Sequence, residues 1–184
     1  GATGLDPMIG VDKYIGSDVP FLLRTASHGI TTEGVALMFG AMTKNEEWLT
    51  QVLQVDPQEA PRIGRAARAV RRAEKLMFSR WAQVMVRFER AMYANPDQDL
   101  GKLWWDLKKR YQLLNPPERI DRPDYAAKVH ILTSPVYYHN YMLGEMFAAQ
   151  LRHELAKLAK HEGPTSELSF NGQREFGEFL KQKI

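Results

Sequence analysis

Between Pro61 and the Asn95-Pro96 pair runs one unbroken apolar pattern, in which Ile63, Ala67, Val70, Ala73, Met77 and Trp81 recur at spacings of three and four. That interval keeps apolar side chains on one face of a 3.6-residue helix, and the two-residue period of a strand cannot reproduce it. Proline precedes the run and Asn-Pro closes it, with Tyr93 the last residue the pattern reaches. A long helix with a continuous apolar face needs other elements to cover it. The expectation is therefore a fold of packed helices.

The remaining segments agree. Thr31 or Thr32 is placed to cap a helix with Glu33 in its first turn, followed by Val35, Leu37, Met38 and Phe39. A shorter helix is expected around Glu46 to Leu53. Asp97 to Leu114 reads as another, carrying Trp104-Trp105 and closed by Asn115-Pro116-Pro117; its indoles imply substantial burial. Glu118 to Tyr125 is a polar connector. Ala127 to Ser134 is short, with β character at Val129 to Leu132 that leaves room for a minor strand. Val136 to Lys160 is a long helix rich in Tyr, Met, Phe and Leu, ended by Gly163-Pro164. Phe170 to Ile184 is amphipathic and stops without Gly, Pro or a polar tail, as though cut inside an element. The fold class expected is all-α, with residues 1–184 forming one domain that is itself part of something larger.

Composition narrows the chemistry. At 184 residues, with 44% hydrophobic and 26% charged residues, the chain can build a core. It has no cysteine, so disulfides and thiolate-bound metal are excluded and any metal would use His, Asp or Glu. No apolar run approaches the ~20 residues of a bilayer-spanning helix, and no basic stretch leads into an apolar segment of signal-peptide type. No membrane partner is expected, and the compartment stays open. A net charge of +3 does not dictate a nucleic-acid partner.

Three constellations carry alternatives. Arg62, Arg65, Arg68, Arg71, Arg72 and Lys75 share a helix at spacings near three. They form either a phosphate-binding stripe or a solvated face, and the solvated face is favoured because no aromatic platform interleaves with them. His153-Glu154 resembles the start of H-E-x-x-H, yet Lys157 stands where the second histidine should be, so both His153 and His161 read as surface groups. Tyr137, Tyr138 and Tyr141 at helical spacing read either as core packing or as a site, and on pattern alone packing is favoured.

Several segments, in order, resemble the angiotensin-converting-enzyme family of zinc peptidyl-dipeptidases, closest to its bacterial members. Asp18-Val19-Pro20-Phe21-Leu22-Leu23-Arg24 followed by Thr31-Thr32-Glu33 is similar to the segment bearing the third zinc ligand, a glutamate, whose place Glu33 takes. Trp104-Trp105-Asp106-Leu107-Lys108-Lys109-Arg110-Tyr111-Gln112 with Pro116-Pro117 resembles the double-tryptophan helix. Ala127-Lys128-Val129-His130-Ile131 and Tyr137-Tyr138-His139-Asn140-Tyr141 are similar to the substrate-binding stretch. The resemblance implies the helical peptidyl-dipeptidase fold and release of C-terminal dipeptides. It implies that Lys128 and Tyr138 hold the peptide's free carboxylate, with the tyrosine register set to within one residue. It also implies that His130 meets a backbone carbonyl near the scissile bond and that Tyr141 stabilises the tetrahedral oxyanion.

The departures shape the expectation. By the family's spacing H-E-x-x-H falls near residues 5 to 9, where this sequence reads Leu5-Asp6-Pro7-Met8-Ile9. Proline would disrupt the helix that displays such ligands. Two zinc ligands and the general base are missing, and Glu33 alone cannot hold catalytic zinc. The positions of the family's chloride-binding arginines carry Lys108 and Asn140, so chloride activation is not implied. The chain is expected to be the C-terminal-side portion of a zinc peptidase, without zinc and inactive alone. Its expected partners are peptide, the missing N-terminal half, or a second copy through exposed core surface. A non-catalytic peptide- or partner-binding relative is the alternative, and nucleic-acid binding through the Arg62 to Lys75 face is a more distant one.

Overall fold

Backbone hydrogen bonding along the chain is almost wholly local, as the periodicity demands. The computed structural model describes Pro20, residues 28–119 and residues 122–183. Among these are seven α-helices and no strand: α1 (Gly29–Gly40), α2 (Glu46–Gln51), α3 (Ala60–Ala94), α4 (Leu100–Gln112), α5 (Val129–Thr133), α6 (Tyr138–Leu158) and α7 (Arg174–Lys183). The fold is all-α.

The helix starts show what the sequence pattern can and cannot place. The first cap is His28 rather than a threonine: its imidazole Nδ1 accepts the Thr31 N–H at 3.3 Å. Thr32 already lies inside the first turn, its hydroxyl donating to the Gly29 carbonyl at 2.9 Å. Asn45 caps α2 by accepting the Trp48 N–H at 3.0 Å, and Asp99 caps α4 by accepting that of Lys102 at 2.9 Å. The helix α2 ends at Gln51, short of the expected Leu53, and Gln54 turns the chain with φ 56°. Pro61 sits within the first turn of α3, where its missing N–H leaves no bond unmade.

The β character read at Val129 to Leu132 is corrected by α5. A strand needs a partner ladder, and the segment finds none among the described residues. Its backbone groups are satisfied locally instead, Ile131 N–H donating to the Lys128 carbonyl at 3.0 Å and Ser134 N–H to that of His130 at 3.1 Å. Helical spacing buries Ile131 while leaving Val129 and Leu132 exposed.

The contacts group the described residues into two compact units. One holds those up to Val70 and those from Leu143 onward; the other is Arg71–Met142. The first is built on Met38, Ala148, Leu151, Leu155, Ala156, Leu168 and Phe176. Here α1 crosses α6 at two glycines. A Cβ at Gly34 would lie 2.5 Å from Phe147 Cδ1, and one at Gly144 would lie 2.8 Å from Glu33 Cβ and 3.1 Å from the Gly34 nitrogen. Only glycine permits that approach. In the same unit Arg68 pairs with Glu46 at 2.7 Å.

The second unit is built on Ala82, Val84, Met85, Phe88, Trp104, Ile131 and Tyr138. Trp104, at 1% exposure, stands edge-on to Trp81 and Phe88 at centroid distances of 5.6 and 5.1 Å. Full burial of side chains such as Phe88 and Met85 contributes about 1.5–3 kcal/mol each. Its neighbour Trp105 is only half buried, and its indole N–H donates to the Asp124 carboxylate at 3.1 Å.

Candidate functional site

Four of the five residues singled out in the sequence lie in the second unit. Lys128 ends a 3-10 turn (Asp124–Ala127) and begins α5, His130 lies in α5, Tyr138 opens α6, and Tyr141 follows one turn later. The short α5 and the start of the long α6 meet at a proline-containing turn, which brings side chains from both to one place. The His130 Nε2 and the Tyr141 hydroxyl are 3.1 Å apart. The His130 ring also stands 4.8 Å from that of Tyr138, and Tyr137 packs edge-on to Tyr141 at 5.2 Å. Phe78 of α3 lies against both Tyr138 and Tyr141, at 6.4 and 6.0 Å.

Tyr138 is buried, with 9% of its surface exposed, and its phenol oxygen accepts the Trp81 indole N–H at 2.9 Å. A phenol that accepts one hydrogen bond still has its own proton to give. The Lys128 ammonium lies over the same indole, 5.0 Å from the ring centre. One tryptophan therefore touches both an ammonium and a phenol.

A second ammonium stands nearby in electrostatic terms. Lys108 lies over Trp105 at 4.3 Å and Trp104 at 5.7 Å. Burial holds its pKa below the ordinary lysine value, the Lys128 charge lowers it further, and Asp124 opposes both. Cations that repel each other across aromatic faces make a surface that favours an anion.

Sequence pattern alone does not mark Trp81 or Phe78 as site residues. Trp81 falls on the apolar period of α3 and looks like core; the signal available was its indole N–H, a donor that a buried position obliges to find an acceptor. Glu33 belongs to the other unit, half buried with its Cβ against Gly144; because α1 starts at Gly29, it lies past the first turn rather than in it as the sequence led one to expect. Residues 5 to 9, the expected place of H-E-x-x-H, lie outside the described residues, as do Asp18, Val19 and Phe21 to Arg24. Among the described residues no three His, Asp or Glu side chains converge as metal ligands. His153 is exposed on α6, and Lys157 is bonded to Glu154 at 2.8 Å.

The angiotensin-converting-enzyme family model matches residues 65–184. The match takes in Lys108, Lys128, His130, Tyr138 and Tyr141 and begins after Glu33. Neither curated proteins nor solved structures supply a further match.

Proposed function

Because the chain belongs to the angiotensin-converting-enzyme family of peptidases, we propose that its second unit recognises the free C-terminal end of a peptide. Lys128 and Tyr138 receive the carboxylate, the ammonium supplying charge and the phenol a hydrogen bond. His130 meets a backbone carbonyl of the bound peptide, and the Tyr141 hydroxyl stands beside it as the donor that a developing oxyanion needs. The observation that carries this reading is the shared indole. Trp81 donates to the Tyr138 oxygen at 2.9 Å and underlies Lys128 at 5.0 Å, which supports both groups acting on one ligand group.

The family is zinc-dependent, and zinc supplies an activated water for hydrolysis. The 184-residue sequence contains no H-E-x-x-H. Our reading of this chain is therefore binding without hydrolysis, with Glu33 a ligand only where other donors complete the cage.

Peptide titration tests it. A peptide with a free C-terminal carboxylate is expected to bind the purified chain more tightly than the same peptide as the C-terminal amide, and Lys128→Met is expected to erase the difference. Equal affinity for acid and amide in the wild type overturns the carboxylate site. Bound zinc at one equivalent together with release of dipeptides overturns the second half of the reading.

A further inference from the structure

Glu89 stands on the stretch of α3 that gives Met85 and Phe88 to the core, with 3% of its surface exposed. A carboxyl group there is costly unless partnered. Its Oε1 accepts the backbone N–H of Val136 at 2.9 Å. Val136 carries a cost of its own, because its φ is 55°, a left-handed value that a β-branched residue rarely adopts. The side chain is 58% exposed, so burial does not offset that strain. A buried carboxyl and a strained turn thus meet in one hydrogen bond. The turn follows Pro135 and lies between His130 and Tyr138, two residues before Tyr138 opens α6.

We propose that Glu89 is a positioning residue for the His130, Tyr138 and Tyr141 group. By holding Val136 in its left-handed conformation it fixes where α6 begins, and so the direction from which both tyrosines face His130. Strain kept in place by one specific partner is the pattern expected where geometry matters more than stability. Glu89 acts on that group through the Val136 N–H. The proposal rests on the peptide-binding reading for its functional meaning, though not for its geometry.

The test uses the full chain as wild type, Glu89→Gln, Glu89→Met and Val136→Pro. Glutamine keeps an oxygen acceptor where methionine has none, and proline at the exposed position 136 removes the N–H and the positive φ together. Two readouts are taken: the imidazole 15N shifts of His130, which report its bond to Tyr141, and the affinity for a free-acid peptide relative to its amide. Glu89→Gln is expected to match the wild type in both. Glu89→Met and Val136→Pro are expected to move the His130 shifts and to weaken the acid preference about tenfold, the size of one lost buried hydrogen bond. Wild-type His130 shifts in folded Glu89→Met or Val136→Pro overturn the proposal. So do altered shifts in Glu89→Gln, which decides the matter if the other two do not fold. A wild type without acid preference defeats the peptide reading alone, since the His130 shifts still report on Glu89.

Discussion

Trp81 and Tyr138, 57 residues apart in the chain, are joined by a hydrogen bond of 2.9 Å in which the indole N–H donates to the phenol oxygen. Both groups are held by the surrounding aromatic packing, so the bond couples α3 to the first residue of α6 within the second unit. A double-mutant cycle of Trp81→Phe, Tyr138→Phe and the double variant should return a coupling energy of about 1 kcal/mol in urea unfolding. Additive losses would mean that the two side chains do not interact.

Leu113 ends α4 in the left-handed conformation, φ 60°, and is 73% exposed. Glycine takes that conformation without the Cβ penalty, and little burial is lost with the leucine side chain. Leu113→Gly should stabilise the chain by about 1 kcal/mol, while Leu113→Ala should give no such gain. The urea midpoints of the two variants check this.

The crossing of α1 and α6 should be intolerant of volume, and unequally so. An added Cβ at Gly34 meets chiefly the Phe147 side chain, which has some freedom to turn away. At Gly144 it meets the Glu33 Cβ and backbone of α1, which have none. Both alanine variants should lose about 1–3 kcal/mol, with Gly144→Ala the worse. Equal losses in thermal unfolding would show that the Phe147 ring yields no more than the α1 backbone does, and negligible losses that the helices separate freely at this point.

Lys108 offers a titration test. Its pKa in the folded chain lies below the unfolded value of 10.5, so the folded state disfavours the protonated form. That penalty is complete below the folded pKa and disappears as pH rises through the window between the folded value and 10.5. Lys128→Met should move the Lys108 titration part of the way back, not all of it, because burial is the larger cause and remains. Side-chain NMR of Lys108 across alkaline pH reads the shift directly.

The helices were legible in the sequence to the extent that each had a long apolar period. Ile63 to Trp81 announces α3, and the double tryptophan with its proline exit announces α4. The five residues of α5 were not, since Val129, Ile131 and Thr133 are β-branched and a single turn is too short for a helical period to show. The His28 cap was hidden because imidazole is not among the usual capping side chains. At the site, resemblance supplied Lys128, His130, Tyr138 and Tyr141, and the structure brings those four into one unit. Trp81 escaped because a residue on an apolar stripe shows nothing of what its polar edge touches. Glu89 escaped for the converse reason: a glutamate among arginines on a long helix reads as a surface charge, and only its 3% exposure reveals otherwise.

Trp104 is sealed from water and stands edge-on to Trp81, whose ring lies beneath the Lys128 ammonium. Indole emission responds to the electric field across the ring, and a cation resting on one face contributes to that field. A negatively charged ligand arriving beside Lys128 would neutralise that contribution and change the colour of the light the chain emits. The tryptophan that organises the site thus equips it with its own unlabelled optical signal.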